Sequence, residues 1–279
     1  MKKIILHIIW VLSGALAGYA QEEAAVPLTY QSLSVGVGNT MAYDSYLSPL
    51  KYSGTGISLM GEQMKTTRLW QGRIVSQHLL HLDFADMENP SGSAISYMGT
   101  LEYDYGLFYR WNPIGKIRLY TGVQADLLAG VIYNSRNTNN PANAKANVNL
   151  NVSAMAVYAF QIIRQPILLR SQVNLPVVGA LFSPEFGQSY YEIGLGDESP
   201  LIYWAAWHNR VALRSLFSLE VPLNQGTLRI SYANRLYQTQ VNDLKTKIVS
   251  GTVYVGVSSF FHVVSGKKID KNKYRHVFE

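Results

Sequence analysis

The chain has 279 residues, 24 lysines and arginines against 18 aspartates and glutamates, and no cysteine. Those numbers exclude disulfides, thiolate metal sites and a cysteine-linked acyl anchor, and the basic excess is too small to make nucleic acid an expected partner. Hydrophobic residues make up 48% of the chain, yet no run past the N-terminus approaches the ~18 apolar residues of a membrane helix.

Residues 1–20 read as a cleaved secretory signal peptide. Met1-Lys2-Lys3 is a basic start, residues 4–17 are an apolar run, and Gly18-Tyr19-Ala20 is a small-x-small cleavage site before Gln21. Removal of Lys2 and Lys3 takes the 24 basic residues to 22 against 18 acidic ones, a net charge of about +4.

The barrel region of the mature chain, residues 21–266, is dominated by period-two alternation. It is clearest at 97–111, where Tyr97, Gly99, Leu101, Tyr103, Tyr105, Leu107, Tyr109 and Trp111 share one face. Met98, Thr100, Glu102, Asp104, Gly106, Phe108 and Arg110 share the other. At about 3.3 Å per residue and a tilt of roughly 40°, such a strand reaches on the order of 30 to 35 Å, enough to cross an outer membrane.

Alternation predicts strands at 32–38, 54–64, 68–85, 94–111, 116–134, 146–163, 167–181, 203–221, 227–239 and 247–264. Short connections at 65–67, 112–115, 164–166 and 222–226 alternate with long ones at 39–53, 86–93, 135–145, 182–202 and 240–246. An even strand count with loops sorted by parity predicts an all-β chain, a transmembrane antiparallel up-and-down β-barrel of about ten strands. Eight or twelve strands and a soluble sandwich are the alternatives.

Within the sixth strand Val148, Leu150, Val152, Ala154, Ala156, Tyr158, Phe160 and Ile162 are expected to face lipid, with Asn147, Asn149, Asn151, Ser153 and Gln161 inside. In the last strand Val249, Gly251, Val253, Val255, Val257, Ser259, Phe261 and Val263 form the outer set. Aromatics near strand ends suggest two interfacial girdles, Trp70, Tyr109, Trp111, Tyr158, Phe160 and Phe261 at one and Tyr97 and Tyr133 at the other. Pro176 falls inside a strand of a closed sheet, where a bulge or the end of the membrane segment is expected.

By parity the inward faces carry Glu62, Arg73, His81, Asp83, Glu102, Asp104, Arg110, Arg118, Asp126, Arg170, Arg210, Arg214, Glu220, Arg229 and Arg235. Acids dominate the second to fifth strands and arginines the seventh to ninth, so closure sets one wall against the other. In a barrel this narrow, paired side chains are expected to plug the lumen. A narrow selective channel lined by an arginine ladder is the rival reading.

His81 with Asp83 is the one local pair suited to proton transfer, and would carry a rim enzyme acting on lipid or peptide. A paired lumen histidine is the commoner origin of that pattern, and no catalytic residue is assigned. Gly36-x-Gly38 and Gly194-x-Gly196 lack a following helix, and no His, Asp or Glu cluster has metal-ligand spacing. No cofactor or metal is expected.

Two connections hold candidate binding residues. Tyr190, Tyr191, Trp204 and Trp207, with Tyr203, lie near Glu185, Glu192, Asp197 and Glu198, a mixture suited to a glycan or protein ligand, or to a lid over the mouth. Tyr43, Asp44 and Tyr46 begin the other, a Tyr-Asp-x-Tyr-Leu-Ser-Pro-Leu-x-Tyr-x-Gly stretch over residues 43–54. With the repeated long strands, that stretch resembles an uncharacterised Bacteroidetes outer-membrane barrel family, a domain of unknown function. The resemblance implies location and architecture and brings no activity, ligand or catalytic residue.

Residues 267–279 form a basic tail with Lys267, Lys268, Lys271, Lys273 and Arg275, expected in the periplasm beside phospholipid headgroups or cell-wall polymer. The expected role is structural, binding or adhesive through extracellular loops, with outer-membrane lipid as the surrounding partner.

Overall fold

The computed structural model describes residues 26–27, 29–163, 165–196, 199–223, 226–261 and 274–275. The expected signal peptide, and the tail except Tyr274 and Arg275, lie outside the described residues. Ten long strands form the wall: β2 (Thr29–Asp44), β3 (Lys51–Thr66), β4 (Ile74–Glu88), β5 (Ile95–Arg110), β6 (Ile117–Asn134), β7 (Ala142–Ile162), β8 (Gln165–Phe182), β10 (Arg210–Leu223), β11 (Gly226–Val241) and β12 (Leu244–Phe261). β1 (Val26–Pro27) and β13 (Tyr274–Arg275) pair in parallel. β9 (Ile202–Ala206) is an extra strand on the upper part of β8.

Each wall strand pairs antiparallel with its chain neighbours, β8 pairs with β10, and β12 returns to β2. The sheet is a closed ten-stranded barrel, complete except for a short stretch between β8 and β10. We call the rim holding residues 45–50, 89–94, 135–141, 183–209 and 242–243 the upper rim. The opposite rim holds the start of β2 and the end of β12.

The alternation sorts as a membrane wall requires. Leu150, Val152, Val253 and Val255 lie on the outer surface, each between 46% and 55% exposed. Leaving the exposed half of such side chains in water would forgo on the order of 1 kcal/mol apiece, and soluble monomers rarely carry a continuous apolar belt. Trp70, Tyr109 and Trp111 touch edge-on at the lower rim, and Tyr158 stacks on Phe160. Tyr97 and Tyr133 are directly paired near the upper rim. The side chain of Phe261 lies outside the described residues, as does Val263.

Strand ends depart from the alternation-based boundaries. β2 runs on to Asp44 and β3 starts at Lys51, so the expected 39–53 loop shrinks to a six-residue turn at 45–50. The 240–246 loop shrinks to Asn242 and Asp243, both with positive φ, the geometry of a two-residue hairpin. The loops are therefore not strictly sorted by length, and among the described residues the long connection is 183–209. Ladder hydrogen bonds continue past the apolar band, where polar side chains hide the strand signal. At the lower rim the third strand begins at Ile74 rather than residue 68, because Trp70, Gln71 and Gly72 take positive φ in a 3-10 turn. Arg73 closes that turn in a helical conformation just before the strand, so the alternation does not reach it, and it is exposed and outside the lumen, donating to the Tyr109 hydroxyl at 2.8 Å. Gln161 is likewise exposed at the lower rim rather than inside.

The expected eighth strand divides into β9 and β10. Asn209 accepts from the backbone N–H of Ala206 at 3.0 Å and donates to the Trp204 carbonyl at 2.8 Å, fixing a tight turn at 207–209. Pro176 marks the same place in the wall. The β7–β8 register slips there, with Leu150 opposite Val178 but Asn151 opposite Pro176, the signature of a bulge. Below Pro176, β8 pairs with β10 through Asn174 and Arg214; above it, β8 pairs with β9. Residues 210–213 of β10 thus pair with β11 alone, and the Trp207 indole donates to the Pro176 carbonyl at 2.9 Å.

Inside, two apolar layers bracket a charged one. Tyr30, Met64, Val75, Phe108, Tyr120, Met155 and Val157 pack at the lower end. Ala42, Leu47, Tyr52, Ala85, Met87, Ala94, Met98 and Ile132 pack beneath the upper rim.

Candidate functional site

The charged layer is built by strands from different walls. Glu62 of β3 accepts from Arg170 of β8, from Arg229 at 2.7 Å and from the Gln77 amide at 2.6 Å. Gln77 and Gln172 exchange hydrogen bonds at 2.9 Å, and Arg229 also donates to Ser32, Ser218 and Ser231. The Tyr30 hydroxyl donates to Glu220, and both guanidiniums lie over the Tyr30 ring at 5.8 and 5.9 Å. A low-dielectric interior tolerates such charges because each has charge-assisted bonds to a partner.

A second knot centres on Arg214. It donates to Glu102, to Asp104 at 2.9 Å and to Asp126 at 3.2 Å, and these three carboxylates lie within 4.8 Å of one another. Asp104 and Asp126 face each other in the β5–β6 register, which is unfavourable without the guanidinium between them. Asp126 also accepts from Asn149 and Asn151, each at 2.7 Å. Sequence spacing could not bring this trio together, since it needs the register of β5 on β6.

Arg235 binds Asp83, which also accepts from Ser58 and Thr100. His81 is buried edge-on against Tyr254, and its Nδ1 has no hydrogen-bond partner. The two therefore do not form the proton-transfer arrangement that sequence proximity suggested. Arg110 is buried at the lower rim and donates to the Gly72 carbonyl at 3.2 Å, and Arg118 is half-buried nearby. Arg210 is 2% exposed near the upper rim, and neither terminal nitrogen has a hydrogen-bond partner. It faces a cavity of about 90 Å³ that also touches Lys145, Asn149, Arg214 and Tyr237.

The upper rim closes over this layer. Asp44 lies on β2 and faces inward, holding Lys145 at 2.7 Å and the Asn143 amide at 2.9 Å. Tyr190 opens a one-turn helix, α1 (Tyr190–Gly194), capped by the reciprocal Ser189 and Glu192 bonds. Its hydroxyl donates to Asn143 at 3.0 Å and accepts from the Ala144 N–H at 2.6 Å. The Tyr46 hydroxyl donates to the Gln188 carbonyl at 2.8 Å, and its ring meets Tyr190 edge-on at 6.0 Å. Burial, reinforced by Tyr190 and Asp44, pushes the Tyr46 phenol up to about 12; burial also raises Tyr190. Of the candidate loop residues, Asp44, Tyr46 and Tyr190 thus fasten the lid, and Tyr43 is half-buried on β2. Tyr191, Trp204 and Trp207 remain exposed.

Residues 4–268 match a family model described as Protein of unknown function (DUF3316). No curated protein matches the sequence. Among solved structures, the outer membrane protease OmpT of Escherichia coli is similar over 87% of this chain and 99% of its own, at 7% identity and a TM-score of 0.50. The transport unit of the Escherichia coli autotransporter AIDA-I covers 88% and 95% at 8% identity, TM-score 0.39. An outer membrane channel from Pseudomonas putida covers 87% and 100% at 9% identity, TM-score 0.34. At these identities the likeness concerns fold alone, that of outer-membrane barrels.

Proposed function

The chain belongs to that family of unknown function, DUF3316, and from this premise and its barrel fold we propose that it is an outer-membrane protein with a structural, binding or adhesive role and a plugged lumen. Its upper rim faces the cell exterior, its lower rim the periplasm, and the basic tail stays on the periplasmic side. A Bacteroidetes affinity rests on the 43–54 stretch alone. Tyr191 is the ring offered at the upper rim to a glycan or protein ligand, exposed while the neighbouring tyrosines hold the lid; Trp204 and Trp207 are also exposed but lie along β8, Trp207 on Pro176.

The observation that carries this reading is the transverse ion pairing. Arg170 meets Glu62, and Arg214 meets Glu102 and Asp104, across the lumen between apolar layers at both ends. Crossing pairs of this kind favour a plugged lumen over a continuous polar path for solutes. The test is conductance of the purified protein in a planar lipid bilayer. Absence of steady openings is expected, and steady ohmic openings would replace this reading with the narrow channel.

A further inference from the structure

Arg210 is anomalous among the arginines of the charged layer. Arg170, Arg214, Arg229 and Arg235 all hold carboxylates, whereas both terminal nitrogens of Arg210 are buried and unpartnered. A guanidinium in that state is costly unless something binds it. The adjoining cavity of about 90 Å³ is several times the ~10–15 Å³ that admits one water. Its lining holds four cations, Lys145, Arg210, Arg214 and Arg235, against the carboxylates of Asp83, Glu102 and Asp126.

The cavity also meets the wall where the ladder is incomplete. Pro176 and Ala212 line it from β8 and β10, on the stretch where those strands do not pair. Trp204 and Trp207 stand exposed beside that seam, and Ala212, a small side chain, lines the cavity on its inner side. Above, the Tyr46 and Tyr190 contacts tie the turn at 45–50 to the 183–209 connection.

We propose that this cavity is an oxyanion site centred on Arg210 and reached sideways through the β8–β10 seam. Its ligand is a phosphate or carboxylate group, carried by an amphiphile of the surrounding leaflet or free in solution. The inference goes beyond the rim-binding reading, and its free-anion arm does not depend on where the barrel resides.

The test uses the full-length mature protein in detergent, with Arg210→Met and Ala212→Phe. Arg210→Met removes an unpartnered charge and breaks no ion pair, so it is expected to fold. In one arm, micelles are doped with phosphatidic acid or with diacylglycerol, which lacks the phosphate, and retained lipid is counted by native mass spectrometry. In the other, inorganic phosphate is titrated and Tm is followed. Selective retention of phosphatidic acid, lost in both variants, supports the site with a lipid source. A phosphate-dependent rise in Tm without lipid retention, weakened about tenfold or more in Arg210→Met, supports it with a free-anion source. No response in either arm, or responses undiminished in Arg210→Met, would overturn the proposal.

Discussion

Arg170 and Glu62 stand on strands five places apart around a ring of ten, the greatest separation the barrel allows, and their side chains bond directly. Both are fully buried, and Arg229 shares the same carboxylate at 2.7 Å. Removing one member of a buried network leaves the others uncompensated, at a cost of about 3–5 kcal/mol. Glu62→Gln is therefore expected to lower folding stability by that amount in urea unfolding followed by tryptophan fluorescence. A change within about 1 kcal/mol would mean that the transverse pairs do not hold the barrel.

Arg214 makes a separate, geometric prediction. Its planar fork serves Glu102, Asp104 and Asp126 at once, which a lysine point charge cannot reproduce. Arg214→Met should unfold at clearly lower denaturant than wild type, with Arg214→Lys recovering only part of the loss. Full recovery by lysine would show that charge alone matters there.

The lid should respond to alkaline pH. The Tyr46 phenol, ordinarily at 10.0, is held at about 12 in the fold, so the folded state binds its proton more tightly than the unfolded chain. Its contribution is complete below pH 10 and is lost as pH climbs through about 12. Ultraviolet absorbance titration should show a late-ionising phenol that disappears in Tyr46→Phe. If the variant removes a component at the ordinary value, the lid contact is absent in solution.

Trp207 ties the seam by one bond to the Pro176 carbonyl. Trp207→Phe keeps an aromatic ring but loses that donor, and a cost of about 1 kcal/mol is expected. Amide exchange should accelerate in β9 and at 210–213 of β10 while the rest of β10 stays protected. Uniform acceleration around the barrel would argue against a local seam.

The wall was legible because period-two alternation is the direct imprint of a surface with lipid on one side. Pro176 was readable for the opposite reason, since a residue without an N–H cannot sit in an unbroken ladder. Arg73 was misplaced because it belongs to the turn through Trp70 and Gln71 and takes a helical conformation, so the strand's alternation does not extend to it. The division at 207–209 left a signal in Asn209, but the flanking apolar residues masked it. The Arg214 knot was hidden because Asp104 and Asp126 meet only once the register is set. The unpaired donors of Arg210 follow from three-dimensional neighbours that spacing does not specify.

Hydrocarbon covering the outer band is what a membrane barrel requires, and the chain's lack of cysteine allows a direct measurement. Single cysteines at Val152, Val255, Ser153 and Tyr254 can be spin-labelled in the barrel reconstituted in phospholipid vesicles, and collision rates read with oxygen and a water-soluble nickel chelate. Labels at Val152 and Val255 are predicted to collide freely with oxygen and hardly at all with nickel, and labels at Ser153 and Tyr254 to be shielded from both. Strong nickel collisions at Val152 and Val255 would place that band in water and contradict the membrane barrel.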